Sequence, residues 1–344
     1  MNSAAKKWYQ LSGSDADVVL STRVRLARNL NGYPFPCVMD DETRARVNGL
    51  VRDAVENGGS VIGSRFSCID MEKCTREQLV SLVERHLISP EFAGKPKGRS
   101  LMLLDDESVS LMLCEEDLLR LQVLEPGLAL DKAYDMADKL DTLLSERLSF
   151  AANERLGYLT ACPTNLGTGM RASVMVHLPA LERSGALRSL SVSIAKLGLT
   201  IRGMYGEGSG SKGAIYQISN QETLGVTEAG TIKKLSDIIA QVIKLERDAR
   251  TKLMAQPAEQ DRVWRALGLL RTARMISSDE FVELYSQLRL GVAAGQIPGL
   301  TLDALSELFA RVQPATMVVE AGKAMTPAER DLLRAQQTRQ MLGA

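Results

Sequence analysis

The chain is organised around Ala161-Cys-Pro-Thr-Asn-Leu-Gly-Thr-Gly-Met-Arg171-Ala-Ser-Val174, where two glycines, small hydroxylated residues, a cysteine and an arginine occur together. Gly167 and Gly169 allow a sharp turn and a close approach of a ligand to the backbone. Arg171 adds a permanent, forked cation, so the segment is typical of an anion-binding loop. It is neither a Walker loop nor a Gly-x-Gly-x-x-Gly fingerprint, and a plain tight loop explains these residues alone equally well.

The composition is that of a globular protein with balanced charge. The 344 residues contain 42 Lys+Arg and 42 Asp+Glu, and 45% are hydrophobic. A net charge of zero gives no bulk attraction to nucleic acid or membranes, and neither is expected as a partner. No signal peptide or transmembrane run is evident, so a cytoplasmic location is expected. Five cysteines without a Cys-x-x-Cys pair and two histidines favour reduced thiols and no metal site.

The first part of the chain predicts a leader at residues 1–17 and then a strand. In Asp17–Asn29, Val24 and Leu26 alternate with Arg23 and Arg25, so the two arginines share one face of the strand. Such a face is either solvated or directed toward phosphates.

Hydrophobic patterning then predicts further strands and helices. Two apolar runs, Arg99–Leu104 and Val109–Leu113, indicate a hairpin. A long amphipathic helix is expected over Leu128–Phe150, followed by a strand at Gly157–Ala161, the glycine loop, and a helix around Leu178–Ser189.

The chain changes character near residues 250–256. Leu199–Glu207 predicts a strand that leads into the glycine-rich segment 208–213, which is either a lid or a disordered connection. A helix is expected over Thr227–Arg250 and little but helix after it. Thr326-Pro-Ala-Glu329 is a capping box with proline at the first helical position. These patterns predict a mixed α+β domain at 18–250 and a helical domain at 256–344.

Charged residues cluster at the strand ends and glycine turns of the mixed domain. A set of guanidinium groups can hold a polyphosphate where no P-loop lysine exists. Glu116 and Glu207, beside two of the arginines in sequence, indicate a cationic, bidentate nucleophile as the partner. His86 at a helix end is either favoured by the helix dipole or a ligand contact. The five arginines are Arg23, Arg25, Arg120, Arg171 and Arg202.

Four motifs, in order, resemble those of the ATP:guanido phosphotransferases, the creatine and arginine kinase family. They are Ser21-Thr-Arg-Val-Arg25, Glu115-Glu-Asp117 with Arg120, Cys162 to Arg171, and Arg202-Gly-Met-Tyr-Gly-Glu207. The resemblance implies an antiparallel sheet flanked by helices, with the five arginines on the phosphates of ATP. It also implies that Glu116 and Glu207 hold and deprotonate a guanidinium beside Cys162.

The resemblance also defines a full set of nucleotide-binding positions, with Mg²⁺ held mainly through the phosphates. These positions are Ser21, Thr22, Arg23, Val24, Arg25, His86, Arg120, Arg171, Ala172, Ser173, Val174, Met175, Arg202, Gly203, Met204, Tyr205, Gly206 and Glu207.

Departures from the small-guanidino kinases resemble the bacterial protein-arginine kinases instead. Leu118 and Met175 replace family histidines, the first phosphate motif begins about twenty residues in, and a helical domain follows the catalytic one. The site is therefore expected to be open to protein substrates, whose phosphorylated arginines would mark them for Clp-type proteolysis.

The last helix resembles the phosphoarginine-binding motif of that subfamily, through Arg330, Asp331 and Arg334. The i, i+4 spacing puts both arginines on one face, where a merely solvated charged face is the alternative. The resemblance implies a homodimer, phosphoarginine proteins, an activator protein and a Clp protease as partners. A free-arginine kinase and a phosphoarginine-binding adaptor with little catalysis remain alternative functions.

Overall fold

A computed structural model describes residues 5–203 and 212–343. The strands are β1 Val19–Arg28, β2 Phe66–Asp70, β3 Ser100–Leu104, β4 Val109–Leu113, β5 Leu119–Pro126, β6 Ala152–Asn153, β7 Gly157–Tyr158, β8 Met170–His177, β9 Leu199–Gly203 and β10 Ile215–Asn220. The α-helices are α1 Asp41–Glu56, α2 Arg76–Glu84, α3 Pro90–Gly94, α4 Leu130–Ser145, α5 Pro179–Arg183, α6 Leu187–Ala195, α7 Glu228–Met254, α8 Pro257–Thr272, α9 Ser278–Ala293, α10 Leu302–Arg311, α11 Pro314–Ala321 and α12 Pro327–Met341.

The strands form one large antiparallel sheet, in the order β2-β3-β4-β5-β1-β8-β10-β9, and β6 pairs separately with β7. Strand β1 lies between β5 and β8, and Arg25 is directly opposite Gln122 on one side and Arg171 on the other. Opposed residues of antiparallel neighbours project from the same face. The predicted antiparallel, helix-flanked sheet is confirmed, and its register brings arginines from different strands together.

One face of the sheet is apolar and covered by helices. Val24 and Leu26 of β1 are almost fully buried there, in a core shared with α4 and α7. Burying each such side chain stabilises the fold by about 2 kcal/mol. Because the helices occupy this face, the alternating polar residues of β1 are left on the other face of the sheet, where a ligand can reach them.

The glycine loop is shaped by contacts with neighbouring backbone. Gly167 has φ 109°, and a Cβ there would lie 2.2 Å from the carbonyl oxygen of Thr223. Gly169 has φ 62°, and its Cβ would lie 2.6 Å from the carbonyl oxygen of Ala27. Side chains at these positions would collide with backbone that cannot move aside. The two glycines are therefore needed for chain packing, whatever access they also give a ligand.

The loop ends earlier than the sequence predicts, because β8 begins at Met170. Its alternation of polar Arg171 and Ser173 with buried Ala172 and Val174 is a strand pattern that the glycines obscured. The predicted placement of Arg171 in a turn is wrong, since it lies on a central strand.

Three other predicted boundaries also differ. Helix α4 stops at Ser145 rather than Phe150, and the strand predicted at Gly157–Ala161 is only the two residues of β7. The helix predicted around Leu178–Ser189 is divided into α5 and α6. Gly185 lies between them with φ 72°, a left-handed conformation that interrupts a helix.

Helices α8–α12, here called the C-terminal helical region, follow the long helix α7. The capping box at the start of α12 is confirmed. Thr326 Oγ1 accepts from the backbone of Glu329, and the Glu329 carboxylate accepts from Thr326 N at 2.7 Å. Helix α11 was not predicted. Within residues 5–203 and 212–343, no helix is both long and apolar enough to cross a membrane.

The C-terminal helical region docks on the sheet domain through specific polar contacts. The Glu84 carboxylate, at the end of α2, accepts from the backbone nitrogens of Ala315 (2.9 Å) and Thr316 (2.8 Å). These are orphan donors of the first turn of α11. The predicted leader takes part as well, because Trp8 is buried and Gln10 donates to Glu307 of α10 at 3.0 Å.

Candidate active site

The polar face of the central strands carries most of the predicted arginines. Arg23 and Arg25 project from β1, Arg171 lies opposite Arg25 on β8, and Arg120 lies opposite Ala27 on β5. Four arginines from three neighbouring strands are thus gathered on one face by register alone.

Three of these side chains, those of Arg23, Arg25 and Arg120, line a cavity of about 420 Å³ between the sheet, the α2–α3 connection and α10. The cavity extends along the strands from Arg25 of β1 to Met175 of β8, which lies opposite Ser21. Its lining consists of Arg23, Arg25, Val83, Glu84, His86, Ile88, Ser89, Pro90, Glu91, Met112, Arg120, Gln122, Met175, Gln217, Phe309 and Gln313.

The arginines of this cavity repel one another. Within the described ranges, neither Arg23 nor Arg25 forms an ion pair with a carboxylate, and the buried Nε of Arg25 has no partner there. Burial, with repulsion from Arg171 and Arg120, lowers the pKa of Arg23 to about 10. Burial and repulsion from Arg23 also lower the pKa of Arg25 well below its usual value. A polyanion would relieve this excess of positive charge.

Arg120 is held in place by a buried carboxylate. Its Nη1 lies 2.7 Å from Glu115 Oε2, and the other oxygen of Glu115 accepts from Ser89 Oγ. Arg120 Nη2 also reaches Glu116 Oε2 at 3.3 Å. Glu115 is buried and contacts both Arg120 and Ser89, so it fixes the Arg120 guanidinium. Glu116, by contrast, keeps 42% of its side chain exposed.

A second cavity, of about 200 Å³, adjoins the first and shares Arg25 and Arg120 with it. Its lining adds Glu116, Cys162 and Arg171, together with Ala27, Thr164, Asn165 and Gly169. The predicted carboxylate, the predicted cysteine and three of the predicted arginines therefore meet at one place. A guanidinium bound at Glu116 would face a phosphate held by Arg25 and Arg120.

Asp117 anchors the glycine loop beside Glu116. One buried oxygen of Asp117 accepts from Asn29 Nδ2 and from the backbone nitrogen of Ala161, both at 2.7 Å. This ties the loop to the β4–β5 connection and sets Cys162 in the smaller cavity. The Cys162 thiol lies 3.0 Å from Thr164 Oγ1.

His86 lies in the larger cavity just past the end of α2, in a left-handed conformation with φ 61°. Its carbonyl accepts from Gln122 Nε2 at 2.8 Å, which fixes the backbone. Burial and the Arg23 charge lower the pKa of the imidazole to about 4. It is therefore neutral near pH 7 and suited to contact an uncharged part of a ligand.

Some predicted nucleotide-binding residues face away from the cavity. Thr22, Val24, Ala172 and Val174 lie on the apolar face and are almost completely buried. Thr22 Oγ1 instead donates to the carbonyl of Gly127 at 2.7 Å. The strict alternation of a strand is the reason. Ser21, Ser173 and Met175 do share the polar face, and Arg23 donates to Gln217 of β10 at 2.5 Å and to Ser173 at 3.4 Å.

The last predicted motif is only partly described. Arg202 and Gly203 end β9, where Arg202 lies opposite Gln217 of β10. Met204, Tyr205, Gly206 and Glu207 lie outside the described residues. The predicted role of Glu207 therefore stays a prediction.

The predicted phosphoarginine-binding residues lie on α12. Arg334 is 1% exposed and donates to the carbonyls of Val312 and Ile276 and to Asp331. Arg330 is more accessible and donates to the carbonyl of Met325 at 3.2 Å. Arg334 thus braces neighbouring helices rather than sharing an open face with Arg330. Binding of phosphoarginine here stays a prediction.

Several cavity residues were not predicted. Gln122 and Gln217 are polar residues between buried neighbours on β5 and β10, and that alternation was a usable signal. Phe309 and Gln313 come from the C-terminal helical region, about ninety residues beyond the sheet, and no sequence pattern connects them to the arginines.

The donor chemistry of the site suits phosphate oxygens better than a bare cation. In the parts of the chain that the structure describes, no group of three His, Cys, Asp or Glu side chains could hold a metal ion. Guanidinium groups donate hydrogen bonds and do not ligate metals. Magnesium fits this lining as an ion carried on the phosphates of a nucleotide.

Comparison with known families agrees with this geometry. A family model described as ATP:guanido phosphotransferase, C-terminal catalytic domain, matches residues 46–249. A second, described as the protein-arginine kinase McsB C-terminal domain, matches residues 257–344. The first model covers more than half of the chain, which therefore belongs to the ATP:guanido phosphotransferase family.

Individual relatives show to which branch of this family the chain is most similar. A protein-arginine kinase of Caldanaerobacter subterraneus subsp. tengcongensis is 45% identical over 94% of this chain and 96% of its own. One from Halothermothrix orenii is 44% identical, over 98% and 96%. The duplicated taurocyamine kinase from Schistosoma mansoni with bound transition state analogue components aligns with a TM-score of 0.61 and 29% identity, covering 72% of this chain and 36% of that one. The chain belongs to the protein-arginine kinase branch of the ATP:guanido phosphotransferase family.

Proposed function

We propose that this protein transfers the γ-phosphoryl group of ATP to arginine side chains of proteins. The observation that carries the proposal is the junction of the two cavities. Arg25 and Arg120 line both, so a phosphate bound between them faces Glu116 and Cys162. Relatives named protein-arginine kinase, similar over nearly the whole chain, support proteins as the source of the arginine.

The proposed reaction forms an N–P bond and breaks the bond between the γ-phosphorus and the bridging oxygen of ADP. A guanidinium is protonated near pH 7, because its pKa is above 12, and the protonated form is not nucleophilic. Glu116 would hold two of its N–H groups, align one nitrogen with the phosphorus, and accept the proton released as the bond forms. Glu207 is proposed to act with it. Arg25, Arg120 and Arg171 would stabilise charge on the transferring group.

Magnesium would enter as the MgATP complex and neutralise charge on the phosphate oxygens. The protein supplies guanidinium donors around those oxygens, so the chain's own role is to orient the triphosphate.

The test is direct. The protein, ATP, magnesium and an arginine-containing protein substrate are incubated, and arginine phosphorylation is mapped by mass spectrometry under mild conditions that preserve the acid-labile N–P bond. Phosphoarginine on the substrate supports the proposal. Consumption of ATP with free arginine but no labelled protein would instead assign a free-guanidino kinase.

Further proposals follow from the family resemblance and from the branch to which the chain belongs. These are a cytoplasmic location, delivery of marked proteins to a Clp-type protease, a homodimer, an activator protein, a phosphoarginine site at Arg330, Asp331 and Arg334, and a division into a catalytic domain at 18–250 and a helical domain at 256–344. Co-purification with a Clp protease and sedimentation would test the assembly proposals.

A further inference from the structure

The two ends of the larger cavity are lined by different residues, and the register of the sheet shows which residues lie at each end. Arg25 lies opposite Arg171, Arg23 opposite Ser173, and Ser21 opposite Met175. Residues four apart on one strand are separated by about 13 Å. The row that ends at Ser21 and Met175 is therefore well away from the row in which Arg25 and Arg171 meet Glu116.

Among the described residues the two cavities share only Arg25 and Arg120, so we place the transferred phosphoryl group at the row of Arg25. The rest of a nucleotide then extends past Arg23 toward Met175. At that end the lining includes His86, Met175 and Phe309, which with Ser21 also line a small cavity of about 40 Å³. Arg85 lines that small cavity as well, but its guanidinium is paired with Glu107. A neutral imidazole, a thioether and a phenyl ring suit a purine base rather than a phosphate.

We propose that the C-terminal helical region completes the nucleotide site by supplying Phe309 and Gln313 to the base end of the cavity. This inference rests on the proposed function, since it takes ATP as the ligand. Phe309 offers its ring to the base. Gln313 uses Nε2 to donate to the carbonyl of Phe309 at 2.9 Å, so its Oε1 remains an acceptor for the 6-amino group of adenine.

Both residues are held firmly by their surroundings. The Phe309 ring packs on Tyr285, with ring centroids 4.7 Å apart. Gln313 precedes α11, whose first turn is fixed by Glu84 two residues before His86. The residue before Gln313, Val312, has its carbonyl held by Arg334 at 3.1 Å. A wall of this kind, built on helices and braced from both sides, is preorganised for a ligand.

The experiment compares ATP with inorganic tripolyphosphate, which has the phosphates but no base, using calorimetry on the full chain without any acceptor. Phe309→Leu and Gln313→Ala are expected to weaken ATP binding about tenfold, the loss of one well-placed contact, and to leave tripolyphosphate unchanged. Phe281→Leu is the control for Phe309, because Phe281 belongs to the same aromatic cluster (6.4 Å) but not to the cavity lining. The exposed Gln336→Ala is the control for Gln313.

Inosine triphosphate, with a carbonyl in place of the 6-amino group, tests the Gln313 contact. Wild type is expected to bind it more weakly than ATP, and Gln313→Ala is expected to remove the difference. Equal losses for ATP and tripolyphosphate, no loss in either variant, or the same loss in the Phe281 control would overturn the proposal. Normal nucleotide results with no phosphoarginine formed would overturn only the proposed function.

Discussion

Glu115 and Glu116 are neighbours in sequence, but their carboxylates serve different ends. Glu115 is 8% exposed and is bonded to Arg120 and Ser89. Glu116 reaches into the smaller cavity, where an incoming guanidinium would meet it. One carboxylate positions an arginine of the protein, and the other is proposed to bind an arginine of the substrate.

Glu116→Gln should therefore abolish most turnover and spare nucleotide binding. The amide keeps the shape of the side chain but cannot accept the proton, and loss of a general base lowers a rate by about 10²- to 10⁴-fold. Turnover is measured with a protein substrate and ATP affinity by calorimetry, with the exposed Glu154→Gln as control. Normal turnover in Glu116→Gln would contradict the assigned role.

Glu115→Gln should affect nucleotide binding, which Glu116→Gln is expected to spare. Without the charge of Glu115, Arg120 loses its buried partner and the phosphates lose a fixed donor, so the Kd for ATP is expected to rise by about tenfold. The same calorimetric titration measures this. A Kd within twofold of wild type would mean that Arg120 is held without Glu115.

Among individual residues, the sequence predicted which side chains line the two cavities better than it predicted what holds them in place. Arg23, Arg25, Arg120 and Glu116 were all identified, because charged residues in a strand or turn are conspicuous. Glu115 was not, since only burial distinguishes it from the glutamate that follows, and burial is a tertiary property.

At the scale of elements, a carboxylate joins α5 to α7. Glu246, in the middle of α7, accepts from the backbone nitrogens of Ala180 and Leu181 at 3.0 Å each, capping the start of α5. Burial raises its pKa to about 7, against the lowering effect of these bonds and of Arg250, and Asp17 adds to the rise. The folded state therefore holds a proton here that the unfolded chain releases near pH 4.5.

The raised pKa of Glu246 makes the free energy of unfolding depend on pH. Between about pH 4.5 and 7 the folded state binds more protons at Glu246, so its contribution to stability falls as pH rises, by roughly 3 kcal/mol in total. Above pH 7 the loss is complete. Denaturant unfolding at pH 5 and pH 8 should show a smaller decrease in Glu246→Gln than in wild type. An identical decrease in both proteins would refute the assignment.

Element starts were predicted well where capping residues mark them, as at Thr326. The region of Gly167 and Gly169 was predicted less well. Glycine indicates a turn in a single sequence, but here both glycines serve contacts with Ala27 and Thr223, and a central strand begins directly after them. Such contacts join segments more than fifty residues apart, which local patterns do not record.

At the scale of the whole molecule, Glu84 links the sheet domain to the C-terminal helical region. Glu84→Ala leaves two backbone donors of α11 without a partner and should cost about 1–2 kcal/mol. The two tryptophans report on different parts, because Trp8 packs beside α2 and Trp264 lies on α8. Two single-tryptophan forms, one with Trp8 and one with Trp264, are unfolded in denaturant and followed by fluorescence. With Glu84 intact, the two transitions should coincide. In Glu84→Ala, the Trp264 transition should occur at a lower denaturant concentration than the Trp8 transition. The exposed Glu77→Ala is the control, and coincident transitions in both variants would count against the link.

The cavity wall at Phe309 and Gln313 has a consequence for synthesis. Ribosomes make the chain from its N-terminus, so β1, β5 and β8, with Arg23, Arg25, Arg120 and Arg171, are complete long before residue 313 has been added. A nascent chain can gather these four arginines but lacks one wall of the cavity that Arg23, Arg25 and Arg120 line. The site reaches its full lining only after residue 313 has been added and the helices that carry Phe309 and Gln313 have folded against the sheet.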